Sequence, residues 1–192
     1  MTEDEYGLRD LYLSGRAVDI GGYLGTVAIA LLLDNPNLTV ECVEPIPENA
    51  DLIARNAEAN GVAHRLRLLR AAAGDGSPVT VRYAFGDNEN DLHHAFVGNS
   101  TITGSPTGVH KSVTVPSLTP ADFPGVDFIK IDCEGGEWPF FAAGSVDAAL
   151  IVGEWHPVGG HTSDDLFALL PGYDITFSGP EAGPGEFRAT RR

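Results

Sequence analysis

Residues 126–137, Val-Asp-Phe-Ile-Lys-Ile-Asp-Cys-Glu-Gly-Gly-Glu, constrain the fold of this chain more than any other stretch. They read as a buried strand that stops on an acidic cluster and turns directly into a helix. In an open α/β sheet, ligands bind beyond the carboxyl ends of the strands. Asp132, Glu134 and Glu137 at such an end repel one another, and burial raises their pKa values. The competing reading is a solvated helix N-terminus, where the helix dipole favours acidic groups.

A second signal lies near the start of the chain, at Val18-Asp19-Ile20-Gly21-Gly22-Tyr23-Leu24-Gly25. A short strand over residues 16–20 enters a glycine turn, and an apolar helix follows over residues 24–33. Glycine lets the backbone turn sharply and approach a ligand closely, and the helix behind it offers free N–H groups. A second strand over residues 38–43 ends at Glu44, 23 residues after Gly21. An acidic residue at about that distance from a glycine turn receives the ribose hydroxyls of a nucleotide-type ligand. The dinucleotide spacing G-x-G-x-x-G and the G-x-x-x-x-G-K-[ST] phosphate loop are both absent. Asp19 at the strand end is unfavourable beside a pyrophosphate. It suits a cofactor with positive charge, and S-adenosylmethionine fits that description, with Asp19 and Asp132 expected near its amino and sulfonium groups.

The segments Val-Asp-Ile-Gly-x-x-x-Gly, Glu44-Pro45 and Lys130-Ile131-Asp132-x-Glu134-Gly135-x-Glu137 together resemble the FkbM family of S-adenosylmethionine-dependent methyltransferases over roughly residues 16–156. The resemblance implies a Rossmann-like class I methyltransferase fold and O-methylation of a small-molecule acceptor, natural-product or sugar-like. It implies a donor site built from Gly21, Gly22, Tyr23, Gly25, Glu44 and Pro45, with Ala72 where the family carries a small residue. Members carry Ala-Asn after the first glycine, whereas this chain has Gly22-Tyr23.

The remaining pattern fits one domain over residues 1–192. It is an α/β chain with a doubly wound, mostly parallel sheet that ends in an antiparallel hairpin. Residues 3–14 read as a short amphipathic helix, making residues 1–15 a helical cap. A third strand is expected over residues 65–72, and another over residues 78–85. Residues 86–111 follow no regular period and are long for a loop, which suggests a lid over the acceptor. Strands are expected over residues 126–132 and 149–155, helices over 135–143 and 162–170, and a closing hairpin from residues 173–177 and 186–190.

Composition narrows the partners. The net charge of −15 opposes nucleic-acid and anionic-membrane binding. The local basic residues are Arg65, Arg67 and Arg70 and a C-terminal group. No apolar run reaches the roughly 18 residues that span a bilayer, and the acidic first residues are unlike a signal peptide. Cys42 and Cys133 form no framework. These features point to a cytoplasmic protein with reduced thiols.

For catalysis, His156 at the end of the 149–155 strand has the pKa range to take a hydroxyl proton, and Glu134 is the second candidate. A structural histidine bonded to Glu154 is the rival reading. His93 and His94 in the irregular segment and Trp155 at the strand end are candidates for acceptor contact. The acidic residues match no closed metal motif, so no metal ligands are assigned. A hard cation held among Asp132, Glu134, Glu137, Glu154 and His156 is the lesser reading. Transfer to nitrogen or carbon, transfer of the aminocarboxypropyl arm, and a non-catalytic cofactor-binding partner remain alternatives at this level.

Overall fold

The computed structural model describes residues 6–9, 11–85, 95–96, 109–179 and 184–192. The first half runs β1 (Gly15–Ile20), α1 (Thr26–Asp34), β2 (Leu38–Val43), α2 (Pro47–Ala59), β3 (Leu66–Leu69), β4 (Ala72–Ala73), β5 (Val79–Phe85) and β6 (Ala95–Phe96). The second half runs β7 (Val109–Val115), β8 (Ser117–Leu118), β9 (Phe128–Ile131), α3 (Glu137–Ala142), β10 (Leu150–Trp155), α4 (Ser163–Leu169), β11 (Tyr173–Ser178) and β12 (Gly185–Arg191). Seven strands form the main sheet in the order β11-β12-β10-β9-β1-β2-β3. The five strands from β10 to β3 are parallel, while β12 is antiparallel to both β10 and β11. This is the Rossmann-like architecture the alternating strands and helices anticipate.

Side chains alternate between the two sheet faces along each strand. Ala17, Leu38, Val40, Cys42, Phe128 and Val152 pack with α1 and α2 on one face. Val18, Ile20, Ile129, Ile131 and Ile151 pack with α3 and α4 on the other. Central parallel strands covered on both faces are apolar throughout, and here two charged residues break that rule. Asp19 of β1 and Lys130 of β9 are direct register partners and share the α1 face. Their side chains are 0% and 4% exposed, with 3.2 Å between Lys130 Nζ and Asp19 Oδ1.

Asp19 also completes α1. The residue at the helix N-cap is Gly25, which has no side chain to accept a hydrogen bond. Asp19 Oδ2 accepts from the Ala28 N–H at 3.1 Å instead, satisfying one of the orphan donors at the helix start. At the other end of the helix, the Arg65 guanidinium donates to the Leu32, Asn35 and Leu38 carbonyls.

Three expectations change. Residues 6–9 and 11–14 form no helix. Gly7 takes a positive φ of 62°, and Tyr6, Leu8, Leu11 and Leu13 lie as an irregular strap against the α1 face. The third strand ends at Leu69, because the chain leaves the main sheet and Ala72–Ala73 pairs with Ser117–Leu118. A strand begins at Val109, inside the segment expected to be irregular to residue 111, and it pairs antiparallel with β5, which also pairs with β6. Most of residues 86–111, including His93 and His94, lies outside the described residues.

Removing one member of a buried ion pair leaves an uncompensated charge, which costs about 3–5 kcal/mol. Lys130→Ala is therefore expected to lower unfolding stability in urea by about that amount. Adding Asp19→Ala is expected to restore part of it; a strictly additive double-mutant cycle would show that the pair is not coupled.

Candidate functional site

The carboxyl ends of β1, β2 and β9 open onto a cavity of about 320 Å³. Its wall includes Gly21, Gly22, Tyr23, Glu44, Pro45 and Ala72, six of the residues expected at the donor site, and Asp132 and Glu134 stand at the same cavity.

Gly21 is the point at which β1 turns away from the sheet. Its φ is +80°, and a Cβ there would run into the Asp132 backbone carbonyl. A Cβ on Gly22 would strike Cys42 Sγ. Both glycines are required by close backbone approach, one of them also by handedness. Gly25 lies behind the cavity wall, where a Cβ would meet the Ile29 and Ile53 side chains at 3.2–3.3 Å. Its part is to start α1, not to line the cavity.

Glu44 is held by its own neighbourhood. The Tyr23 N–H donates to Oε2 at 2.8 Å and the Ile46 N–H to Oε1 at 2.9 Å. Asn49 Nδ2 adds a longer contact at 3.4 Å. Thus the Tyr23 backbone N–H helps to fix the Glu44 carboxylate. Burial pushes the Glu44 carboxyl up to about 7, against the pull of these hydrogen bonds. A carboxylate kept in an apolar wall at this cost is suited to hydroxyl donors arriving from a ligand.

Asp19, expected beside the donor, is instead sealed beneath the cavity floor by Lys130 and α1. Lys130, to which the sequence reading assigned no role, lines the cavity. Its ammonium donates to the Gly21 carbonyl at 2.8 Å and stands 4.0 Å from Asp132 Oδ2. Burial lowers the Lys130 pKa, but Asp19 and Asp132 outweigh it and raise it. The Tyr6 hydroxyl donates to Asp132 Oδ2 at 3.0 Å, so the N-terminal strap reaches the site.

Glu137 is the second residue without an assigned role. It is completely buried. Its Oε2 accepts from the Gly135 N–H at 2.9 Å and its Oε1 from the His156 N–H at 2.7 Å. The His156 ring adds Nδ1 at 3.2 Å from the same oxygen, while Nε2 lies 3.4 Å from Glu134 Oε2. Glu134 and Gly135 both take positive φ, 56° and 100°, which turns Glu134 toward the ring. Burial lowers the His156 pKa; the Glu137 hydrogen bond and the charges of Glu137, Glu134 and Asp132 override it and raise it to about 9. A raised pKa favours the protonated ring near neutrality, in ion-pair contact with Glu137 and Glu134. The expected partner Glu154 lines the cavity, and the ring lies against Glu137 and Glu134. Trp155 is completely buried, edge-on to Trp138 with ring centroids 6.0 Å apart. It belongs to the core beneath the site rather than to an acceptor wall.

The methyltransferase FkbM domain model matches residues 19–174. No curated protein matches the chain. Among solved structures, precorrin-6y C5,15-methyltransferase from Geobacter metallireducens GS-15 is similar at 15% identity and a TM-score of 0.56, over 97% of this chain and 85% of that one. TrmN from Thermus thermophilus is similar at 16% identity and a TM-score of 0.57, over 97% of this chain and 46% of that one. TrmK from M. capricolum, solved in complex with S-adenosyl-homocysteine, is similar at 11% identity and a TM-score of 0.54, over 95% of this chain and 65% of that one. At these identities the likeness is one of fold.

If Glu44 receives hydroxyl donors, its ionised form is the binding form. Because its pKa sits near 7, affinity for S-adenosylhomocysteine is expected to rise with pH up to about 7 and then level off, falling by as much as about tenfold per unit below it. Glu44→Gln is expected to flatten that profile, and Glu44→Ala to cost about 1.5–3 kcal/mol of binding. Calorimetry across this range checks both; an unchanged affinity in Glu44→Ala removes the residue from the donor site.

Proposed function

The chain belongs to the FkbM methyltransferase family, and from that premise we propose that this S-adenosylmethionine-dependent enzyme methylates an oxygen of a small hydroxylated acceptor, natural-product or sugar-like in kind. The observation that carries the acceptor class is the acidic rim. Asp132, Glu134 and Glu154 all face the donor cavity. Carboxylates at the mouth favour hydroxyl donors and repel phosphate-rich chains. The arginines of the one internal basic cluster are engaged elsewhere. Arg65 closes α1, Arg67 lies 3.6 Å from Glu41, and Arg70 pairs with Asp51 at 2.6 Å. Among the described residues no helix is long and apolar enough to cross a membrane.

The residues present fit the donor. Gly21 and Gly22 leave the turn bare for close approach, and Glu44 presents an oriented carboxylate for ribose hydroxyls. When bound, S-adenosylmethionine supplies a methyl group on a sulfonium, with a neutral thioether as leaving group. The protein's share is alignment and exclusion of water, and orientation of this kind supplies roughly 7–11 kcal/mol.

The acceptor proton goes to Glu134 in this reading. Its carboxylate faces the cavity, and His156 and its left-handed backbone fix its position. His156, held by Glu137, positions the Glu134 carboxylate. General-base contributions run to about 10²–10⁴-fold. Glu134→Gln is expected to lower kcat by about that range while S-adenosylhomocysteine affinity stays near that of the parent enzyme; equal loss in both, or in neither, removes Glu134 from proton transfer.

Substrate class is tested by offering small polyhydroxylated molecules, amines and nucleic acids with S-adenosylmethionine and following S-adenosylhomocysteine release. Mass spectrometry of the product then locates the methyl. Methylated oxygen on a small acceptor is the expected result. Turnover only with nucleic acid, or methyl found only on nitrogen or carbon, overturns the proposal.

A further inference from the structure

We propose that Asp132, Glu154 and His156 form a divalent-cation site at the mouth of the donor cavity, and that the cation holds the acceptor oxygen. The inference rests on the oxygen methylation proposed above and adds how the acceptor is seated.

One potential ligand atom from each of the three residues lies within 4.8 Å of the other two. Asp132 follows β9 directly, Glu154 is in β10 and His156 follows it. The ligands therefore stand on adjacent parallel strands whose register is fixed by the sheet. Asp132 and Glu154 both line the donor cavity, so a cation between them faces the place where an acceptor must enter.

The second observation is how the imidazole is held. A ligating histidine characteristically gives its other ring nitrogen to a carboxylate, which fixes tautomer and orientation. Here Nδ1 lies 3.2 Å from Glu137 Oε1, and Glu137 is itself completely buried and fixed by two backbone N–H groups. That leaves Nε2 as the ligating nitrogen, where a bound cation takes the place of the ring proton. The Asp132 carboxylate is oriented in the same way, by the Tyr6 hydroxyl on Oδ2. Glu134, 3.4 Å from Nε2, is the group that competes with a cation for the ring.

Two carboxylates and one imidazole on one side leave the remaining positions of a six-coordinate ion open. Oxygen-rich sets suit Mg²⁺ and Mn²⁺, with the imidazole drawing the balance toward Mn²⁺. An acceptor hydroxyl taken as a further ligand is acidified there. Its proton passes to Glu134, its lone pair forms the C–O bond, and the sulfonium C–S bond breaks to leave a neutral thioether. The acceptors best seated are those with two neighbouring oxygens, which chelate the ion.

Mn²⁺ titration of the metal-stripped protein, followed by electron paramagnetic resonance of the free ion, tests the site directly. About one saturable Mn²⁺ per chain is expected, displaced by Mg²⁺, and binding about 10–100-fold weaker in Asp132→Asn and Glu154→Gln. Glu137→Gln is expected to weaken it as a positioning residue. Glu154→Gln, on the cavity wall, decides the matter if the Glu137 or His156 variants fail to fold by circular dichroism. No saturable Mn²⁺ binding in the parent protein, or equal binding in Glu154→Gln, overturns the inference. S-adenosylhomocysteine calorimetry and product analysis on the same samples separate the two proposals. Methylated oxygen formed with no Mn²⁺ or Mg²⁺ bound overturns the cation site alone. Bound Mn²⁺ without oxygen methylation of any small acceptor overturns the reading of function on which the site's role depends.

Discussion

The Asp19–Lys130 pair joins what the rest of the site depends on. It ties β1 to β9 across the middle of the sheet, at the level where both strands are about to end. The same ammonium holds the Gly21 carbonyl, and the same carboxylate closes the start of α1. Strand end, glycine turn and helix start are thereby fixed by two side chains. Taking two charges out of water is expensive, and their attraction repays it only with good geometry and further hydrogen bonds. Here Lys130 donates to the Gly21 carbonyl and Asp19 Oδ2 accepts from Ala28, while Asp19 Oδ1 is left to the ion pair alone. The pair stabilises a turn conformation rather than the sheet as such, and that turn gives the donor cavity its floor.

Much of this was legible from local pattern. The β1 turn, the second strand ending at Glu44 and the acidic end of β9 each follow from apolar runs bounded by Gly, Pro or acidic residues, and such signals are short-range. What escaped depends on which strands become neighbours. Asp19 reads as a rim residue until β9 is placed beside β1, where Lys130 becomes its register partner. Glu137 reads as a helix-start carboxylate until β10 brings the His156 backbone to it. The partners of His156 are hidden for the same reason, since Glu134 and Glu137, which raise its pKa, lie 22 and 19 residues away in sequence. In the expected N-terminal helix, Gly7 with its left-handed backbone breaks the period that would put Tyr6, Leu8, Leu11 and Tyr12 on one side, and Tyr12 is exposed.

The site divides into a stiff half and an electrostatically loaded half. Glu44, Gly21 and Gly22 form the stiff half, organised by backbone amides and close contacts. Asp132, Glu134, Glu137 and Glu154 form the loaded half, gathered around one imidazole. Carboxylates in such proximity are costly in a part-buried wall. They are held by backbone donors, by Tyr6 and by a left-handed turn at Glu134 and Gly135. The arrangement concentrates negative charge on one side of the cavity, while Lys130 balances Asp19 beneath it.

The strand order at the C-terminal edge has a consequence for how the chain assembles. Tyr173–Ser178 is made before Gly185–Arg191, yet the later strand sits between it and β10. The earlier strand therefore has no place in the main sheet until the later one has inserted. During synthesis the edge of β10, with Ile151 and Val152 on its two faces, stays uncovered until Gly185–Arg191 has been made. The final docking step is non-local and comparatively slow, and an exposed strand edge during that interval is the natural point for misassociation.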